Sequence, residues 1–346
     1  MGATLGRAAS LLGAWVLAAA AWAAAAGLPA PVQSGRPHGV SAARAAALPD
    51  RSAAGAVSVT DDLGRRVVVQ APARRIVSLA PSNTEILFAI GAGPQVVAVT
   101  DFCNFPSEVR RLPRVGGMMA GTVSLERIVS LQPDLVLTVA GLQRPVVEQL
   151  QRLGLAAVAV DSTSFAHLYE NLRKVGRLTG QESGAERVVQ QLQQQVQRVQ
   201  QATGSLAPQQ RLRVFYLVWD EPLMTAGPRS FIGQVLELAG AVNVFADVSQ
   251  DWPQVSLEEL VRRQPDVILA PAVHGGRRLV DQLRSRPGWK ELKAVQAGRV
   301  YTVDDDLISR PGPRLGQALE QVARVLYPQR FEPEAAAVRP AAGADR

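Results

Sequence analysis

The chain has 346 residues and 47% apolar content, enough for two ordinary cores, and its single cysteine excludes an internal disulfide framework. The formal charge of +7 comes from arginines scattered along the chain, with Lys174, Lys290 and Lys293 the only lysines. No stacking-aromatic pattern interleaves with them, which argues against a nucleic-acid partner.

Arg7 precedes an apolar run through residues 8–26 that ends in Ala24-Ala25-Ala26, a small-residue cleavage pattern. Residues 1–26 are therefore expected to be an export signal, with an uncleaved membrane anchor as the alternative reading. Either way the rest of the chain is expected outside the cytoplasm. No cysteine follows the run, so a lipid anchor is not expected at that site. Residues 27–55, rich in Ala, Pro, Gly, Ser and Arg, have the composition of a flexible tether, and 331–346 that of a disordered tail.

An N-terminal α/β lobe is expected over 56–163. Residues 57–60 and 65–69 form a hairpin around Asp61-Asp62-Leu63-Gly64. A buried strand at 75–79 runs into Pro81-Ser82-Asn83-Thr84-Glu85, where Ser82 and Glu85 read as a capping box for a helix that stops at Gly91. A strand follows at 96–99, then a helix from Ser124, a strand at 134–139, a helix at 144–153 and a strand at 156–160. Residues 164–204 predict a long linking helix with a break allowed at Thr179-Gly180, its second half carrying Val188, Val189, Leu192, Val196 and Val199 at helical spacing among glutamines. The C-terminal lobe, 205–330, repeats the alternation: strand 212–218, helix 230–239, a second helix–strand pair from Ser256, a helix at 279–284, a strand at 300–303 and an amphipathic helix at 313–326.

The two helix–strand pairs carry nearly the same sentence. Ser124-Leu125-Glu126 leading to Gln132-Pro133-Asp134-Leu135 returns as Ser256-Leu257-Glu258 leading to Gln264-Pro265-Asp266-Val267. The offset is about one domain. The expected fold is therefore α/β, two similar α/β lobes joined by a single long α-helix.

Catalytic signatures are missing: there is no G-x-S-x-G, H-E-x-x-H, P-loop or G-x-G-x-x-G after a strand. No catalytic residue, metal ligand or cofactor is expected. Of three histidines, His38 lies in the tether, His167 sits in a helical pattern, and His274 follows a strand and could face a cleft. Cys103 reads as a small, semi-buried side chain. Asp304-Asp305-Asp306 lacks the further oxygen ligands and Gly turn of a calcium loop and reads as a connection between strand and last helix. Aromatic residues are scarce at 5%. Phe102, Trp219 and Trp252 nevertheless fall where strands end or loops begin, and Met118 and Met119 follow Gly116-Gly117. Flat aromatics and adaptable methionines on loops suit a wide, mostly apolar ligand, with core burial of each Trp as the competing account. Asp306 and Arg310 would supply polar fixing points. Glu126 and Glu258 each stand in the first turn of a repeated helix, where a carboxylate favours the helix dipole by ~0.3–1 kcal/mol. That does not account for the same residue in both lobes; two outward carboxylates could dock on paired arginines of a partner.

The stretch Ser78-Leu79-Ala80-Pro81-Ser82-Asn83-Thr84-Glu85-Ile86-Leu87, with the two Ser-Leu-Glu copies, resembles the helical-backbone substrate-binding proteins of ABC importers for siderophores, haem and vitamin B12. The resemblance covers residues 57–328 and implies two α/β lobes bridged by one helix. Within the family the vitamin B12-binding branch is most similar, on Asp251-Trp252-Pro253-Gln254-Val255-Ser256, Met224-Thr225-Ala226-Gly227 and the Asp306–Arg314 stretch. Met118 or Met119 stands near a position that is Trp there. The resemblance implies a cobalamin-like corrinoid as ligand, bound by Pro81, Ser82, Phe102, Gly117, Met118, Trp219, Trp252, Asp306 and Arg310. It implies docking of Glu126 and Glu258 on a transmembrane permease with its ATPase subunits, by a chain expected to act as a monomer. A ferric siderophore or haem receptor is the alternative; Arg310 and His274 are its candidate contacts.

Overall fold

The computed structural model describes residues 55–272 and 282–331. The expected leader, most of the tether and tail, His274 and the start of the helix expected at 279–284 lie outside the described residues.

An antiparallel hairpin, β1 (Ala56–Thr60) and β2 (Arg66–Gln70), precedes the first sheet. That sheet is parallel, in the order β4 (Val96–Val99), β3 (Ile76–Ser78), β5 (Leu135–Thr138), β6 (Ala157–Ala159). Its crossovers carry α1 (Pro81–Ile90), α2 (Leu125–Ser130) and α3 (Arg144–Arg152). The second sheet places β11 (Val300–Val303), β10 (Val267–Pro271), β7 (Arg213–Trp219) and the antiparallel β8 (Met224–Thr225) side by side, with β9 (Val242–Asn243) also on β7. Around it lie α6 (Phe231–Leu238), α7 (Leu257–Arg263), α8 (Lys293–Gln296), α9 (Asp305–Ile308) and α10 (Leu315–Leu326). Both sheets are covered on each face, so β5 and β10 are buried at every position and read as unbroken apolar runs, whereas β1 and β2 are not.

Between the lobes the chain forms two helices, α4 (Phe165–Thr179) and α5 (Glu182–Thr203). Gly180 ends α4 in the left-handed conformation, φ 69°, which a residue with a Cβ adopts only at a cost. The bridging element is therefore α5 alone, 22 residues and about 33 Å long at 1.5 Å per residue. It packs on α1 and α4 of the first lobe and on α10 and α6 of the second, and one continuous apolar cluster runs through all of them. Gly184 lets α5 approach α1 closely: a Cβ there would lie 1.9 Å from the Ile90 carbonyl oxygen.

The repeat has a structural account at most positions. Ser124 and Ser256 cap α2 and α7 by accepting the N–H of Arg127 and Glu259 at 3.3 and 3.1 Å. Gln132 and Gln264 both adopt the left-handed conformation, φ 47° and 44°, because the following proline disfavours helical backbone at the preceding residue and the chain must turn. Asp134 then accepts the backbone N–H groups of Arg74 and Arg75 at 2.9 and 3.0 Å, and Asp266 that of Arg213 at 2.8 Å. The guanidinium groups of Arg75 and Arg213 return to the carbonyls of Leu131 and Arg263. Helix end, strand start and the first strand of each parallel sheet are tied by the same knot.

Candidate functional site: the seam between the lobes

Parallel strands end on one side of each sheet, and ligands of open α/β sheets bind in the crevice outside those ends. In the first lobe β3 leads into α1. Pro81 occupies the first turn and Ala80 is the N-cap, with no side-chain cap bond. The expected capping box does not form: proline starts the helix two residues earlier than that reading requires, so Ser82 lies inside the turn. Ser82, Asn83, Thr84 and Glu85 are all buried. Asn83 donates to the Thr138 carbonyl at 2.8 Å and Thr84 to the Ser78 hydroxyl at 2.8 Å. The Glu85 carboxylate leaves its own lobe. It accepts from Arg310 Nη1 at 3.1 Å and from Arg314 Nε and Nη2 at 2.8 and 2.6 Å.

After β4 the chain turns at residues 100–104, where Arg114 Nη1 donates to the carbonyls of Thr100 and Cys103, each at 2.7 Å. Cys103 is fully buried, its sulfur 3.1 Å from Thr84 Oγ1, and burial pushes its thiol up, away from thiolate chemistry. Phe102 is 41% exposed beside it. Asn104 crosses to the second lobe, donating to Asp306 Oδ2 at 2.9 Å and accepting from Arg310 Nη1 at 2.6 Å. In the following loop Gly116 has φ 93°, and a Cβ at Gly117 would lie 2.5 Å from Thr122 Oγ1, so both glycines answer the turn itself. Buried Met118 is held through its carbonyl by Gln143 Nε2 at 2.9 Å. The segment after β5 is fixed from behind: Ala140 donates its N–H to Asp161 Oδ2 at 3.2 Å. Burial pushes the Asp161 carboxyl up to about 6; the N–H groups of Gly141 and Ala140 pull it back, and the nearby Asp62 carboxylate adds to the rise.

In the second lobe the Asp run is not a loop. Asp304 is the N-cap of α9, accepting from Asp306 N at 2.9 Å and Leu307 N at 3.3 Å. Burial raises the Asp305 carboxyl above its ordinary range, against the hydrogen bond from Ser309, with the neighbouring Asp306 adding to the rise. Arg310 is 4% exposed, forks between Glu85 and Asp306, and leaves its Nε–H without an acceptor.

The fold thus gathers Pro81, Ser82 and Met118 from one lobe and Arg310 from the other around a hollow of about 10 Å³, completed by Ala80, Ser309 and Pro311. The other expected contacts do not line it: Asp306 pairs with Arg310, Gly117 precedes Met118 in the turn, and Phe102 is exposed. Trp219 and Trp252 are not among the residues lining that hollow: Trp219 donates its indole N–H to the Glu221 carbonyl at 2.8 Å, and Trp252 stacks edge-on against Phe231 at 5.4 Å. Glu85 spans the seam rather than capping its own helix, a role that proline at the first helical position leaves open to it. His167, on α4, lies 3.2 Å from the Asp62 carboxylate, which Lys174 also contacts, and takes no part in the seam. Among the described residues no group of three His, Cys, Asp or Glu side chains could hold a metal ion.

Glu126 and Glu258 are both exposed, on α2 and α7. Glu126 accepts from the Ser124 hydroxyl at 3.2 Å. Among the described residues neither joins an ion pair, whereas the neighbouring Glu259 is tied to Arg262 and Arg263.

Two parallel-sheet lobes on one bridging helix, with polar side chains converging in the crevice between them, define a solute-binding protein. Comparison with known proteins agrees. Residues 76–307 match the periplasmic binding protein family. The chain is 33% identical over 281 residues to the uncharacterized ABC transporter substrate-binding lipoprotein YvrC of Bacillus subtilis, covering 80% of this chain and 87% of that one. It is 35% identical over 256 residues to the vitamin B12-binding protein of Pectobacterium carotovorum, covering 73% and 88%. Among solved structures, the periplasmic vitamin B12 binding protein of Vibrio cholerae superposes with a TM-score of 0.64 at 29% identity over 75% of this chain and 99% of that one. The periplasmic haem-binding protein of Roseiflexus does so at 0.65 and 27%, over 75% and 99%. The chain belongs to the periplasmic binding protein family, and it is a binding protein rather than an enzyme.

Proposed function

We propose that this protein is the extracytoplasmic substrate-binding component of an ABC importer, acting as a monomer that captures a cobalamin-like corrinoid between its lobes. The observation that carries the capture site is the convergence of Pro81, Ser82, Met118 and Arg310 on one interlobe hollow, with a buried Arg310 N–H left for an outside acceptor. A corrinoid rim offers amide carbonyls to such a donor and a flat apolar face to Phe102 and Met118; Trp219 and Trp252 would extend that face from the second lobe. Relatives named for vitamin B12 binding, at 35% identity over most of the chain, support the corrinoid over other flat guests. The haem-binding neighbour supports a second reading, haem or a ferric siderophore, whose carboxylates or hydroxamates would meet the same guanidinium.

Titration of the purified protein with cyanocobalamin, haemin and a ferric hydroxamate, followed by absorbance, tests this. Saturable binding of cyanocobalamin is expected, and binding of haemin or hydroxamate without it would replace the corrinoid reading by the second one. For delivery, Glu126 and Glu258 are the docking residues, since their neighbours in the repeat are accounted for by capping, turning and strand tethering. Reversing both to Lys should abolish uptake in a reconstituted or cellular transport assay and leave ligand affinity within about twofold, because exposed carboxylates contribute little to local energetics. Uptake that survives the double reversal would remove the docking assignment.

A further inference from the structure

A large guest has to pass a seam at whose centre one carboxylate meets two guanidinium groups. Glu85 belongs to α1 of the first lobe, Arg310 and Arg314 to the segment preceding α10 of the second, and all three are mostly buried, with 2%, 4% and 15% of their side chains exposed. Two guanidinium groups share one carboxylate, Arg314 as a two-pronged fork and Arg310 through one nitrogen that it also offers to Asn104. Arg314 further lies over the Phe105 ring at 4.0 Å, again across the seam. Such a cluster differs from an apolar contact in one respect: Coulomb attraction and lost hydration nearly cancel, so the closed form gains little net energy and parting returns each ion to water. Glu85 and Arg314 also line an open groove of about 640 Å³ on the α5 side, from which solvent reaches the pair as the lobes part. The hollow beside Arg310, about 10 Å³, has room for about one water molecule and no more.

We propose that Glu85 is an interlobe latch: it fastens the second lobe to the start of α1 and positions Arg310, and its hold must be exchanged for the guest's acceptors when the lobes admit a ligand. The ligand half of this statement rests on the capture site proposed above; the latch half does not.

The test needs no ligand. Gln151→Cys on α3 and Gln296→Cys on α8 place two labels on exposed positions of opposite lobes, while the native Cys103 is buried. In the full chain, the spin–spin distance distribution is measured with Glu85 intact and with Glu85→Gln, which keeps the shape and removes the charge. A mean distance longer by about 2 Å or more, with broadening and unchanged far-ultraviolet circular dichroism, is expected. An unchanged distribution overturns the latch. Should Glu85→Gln fail to fold, Arg314→Gln, at the more exposed end of the cluster, is expected to lengthen the mean by a smaller amount, and no change there likewise overturns the proposal. The exchange on ligand entry has its own readout: stopped-flow mixing with cyanocobalamin should show faster association for Glu85→Gln than for the parent, and an equal rate would overturn the exchange. If cyanocobalamin fails to bind either form while the distance still lengthens, the latch stands and the corrinoid reading falls.

Discussion

Among the described residues, two contacts between the lobes are built from opposite materials. Along α5 the junction is apolar and close, with Val188, Val189, Leu192 and Val199 buried and Gly184 pressed against the Ile90 carbonyl. At the seam it is ionic, with Glu85, Asn104, Asp306, Arg310 and Arg314 trading hydrogen bonds across the divide. Apolar contact is proportional to area removed from water and has no cheap alternative partner; ions have water waiting for them. On the latch proposed above, the first junction holds while the second can be exchanged for water or ligand.

Substitutions can separate the two. Gly184→Ala should destabilise the chain by about 3 kcal/mol in urea unfolding, because the new methyl meets backbone that can move only if α1 and α5 part. A loss under about 1 kcal/mol would show that this junction is as yielding as the seam. Glu85→Gln should cost well under the ~3–5 kcal/mol typical of a broken buried pair, since the lobes can part and rehydrate both arginines. A full-sized loss in the same assay would mean that the seam is as permanent as the helix contact.

Asp161, which holds the segment after β5, adds a pH handle. Its carboxyl sits near 6 in the fold and in the ordinary range near 4 when unfolded, so the fold binds that proton more tightly. Stability from this group rises as pH falls through about 6 and levels off near 4. Asp161→Asn should therefore stabilise the protein by about 1 kcal/mol at pH 7, an advantage that fades toward pH 4. A pH-independent difference in thermal midpoint would contradict the assignment. The smallest effect is expected at the other end of α5: a Cβ on Gly316 meets the Gln195 side chain, which can swing aside, so Gly316→Ala should cost under ~1 kcal/mol. A loss equal to that at Gly184 would mean Gln195 is locked in place.

Much of this architecture was legible in the residues. Strand runs, the hairpin and the Ser-capped helices of the repeat fall where local pattern places them, because burial on both sheet faces and capping act over a few residues. Helical spacing runs through 179–181, so the pattern allows a break at Thr179-Gly180 without requiring one; the left-handed Gly180 makes it, and only the second half of the expected helix bridges the lobes. Asp304 was read as loop although it caps a single turn too short to show periodicity. Glu85 was assigned to a local cap because its true partners stand 225 and 229 positions away, beyond the reach of any local rule. The left-handed Gln132 and Gln264 were in principle readable, as each precedes a proline at a helix end.

The duplicated knot at Gln132–Asp134 and Gln264–Asp266 has a mechanical corollary. Since it ties each repeated helix to the first strand of its own parallel sheet, the outward carboxylates of α2 and α7 are held to the sheets that carry them. Given the latch proposed above and an α5 that keeps its shape, the spacing between those two surface charges would change only when the seam gives way, and the state of the interior would be displayed as a length on the outside.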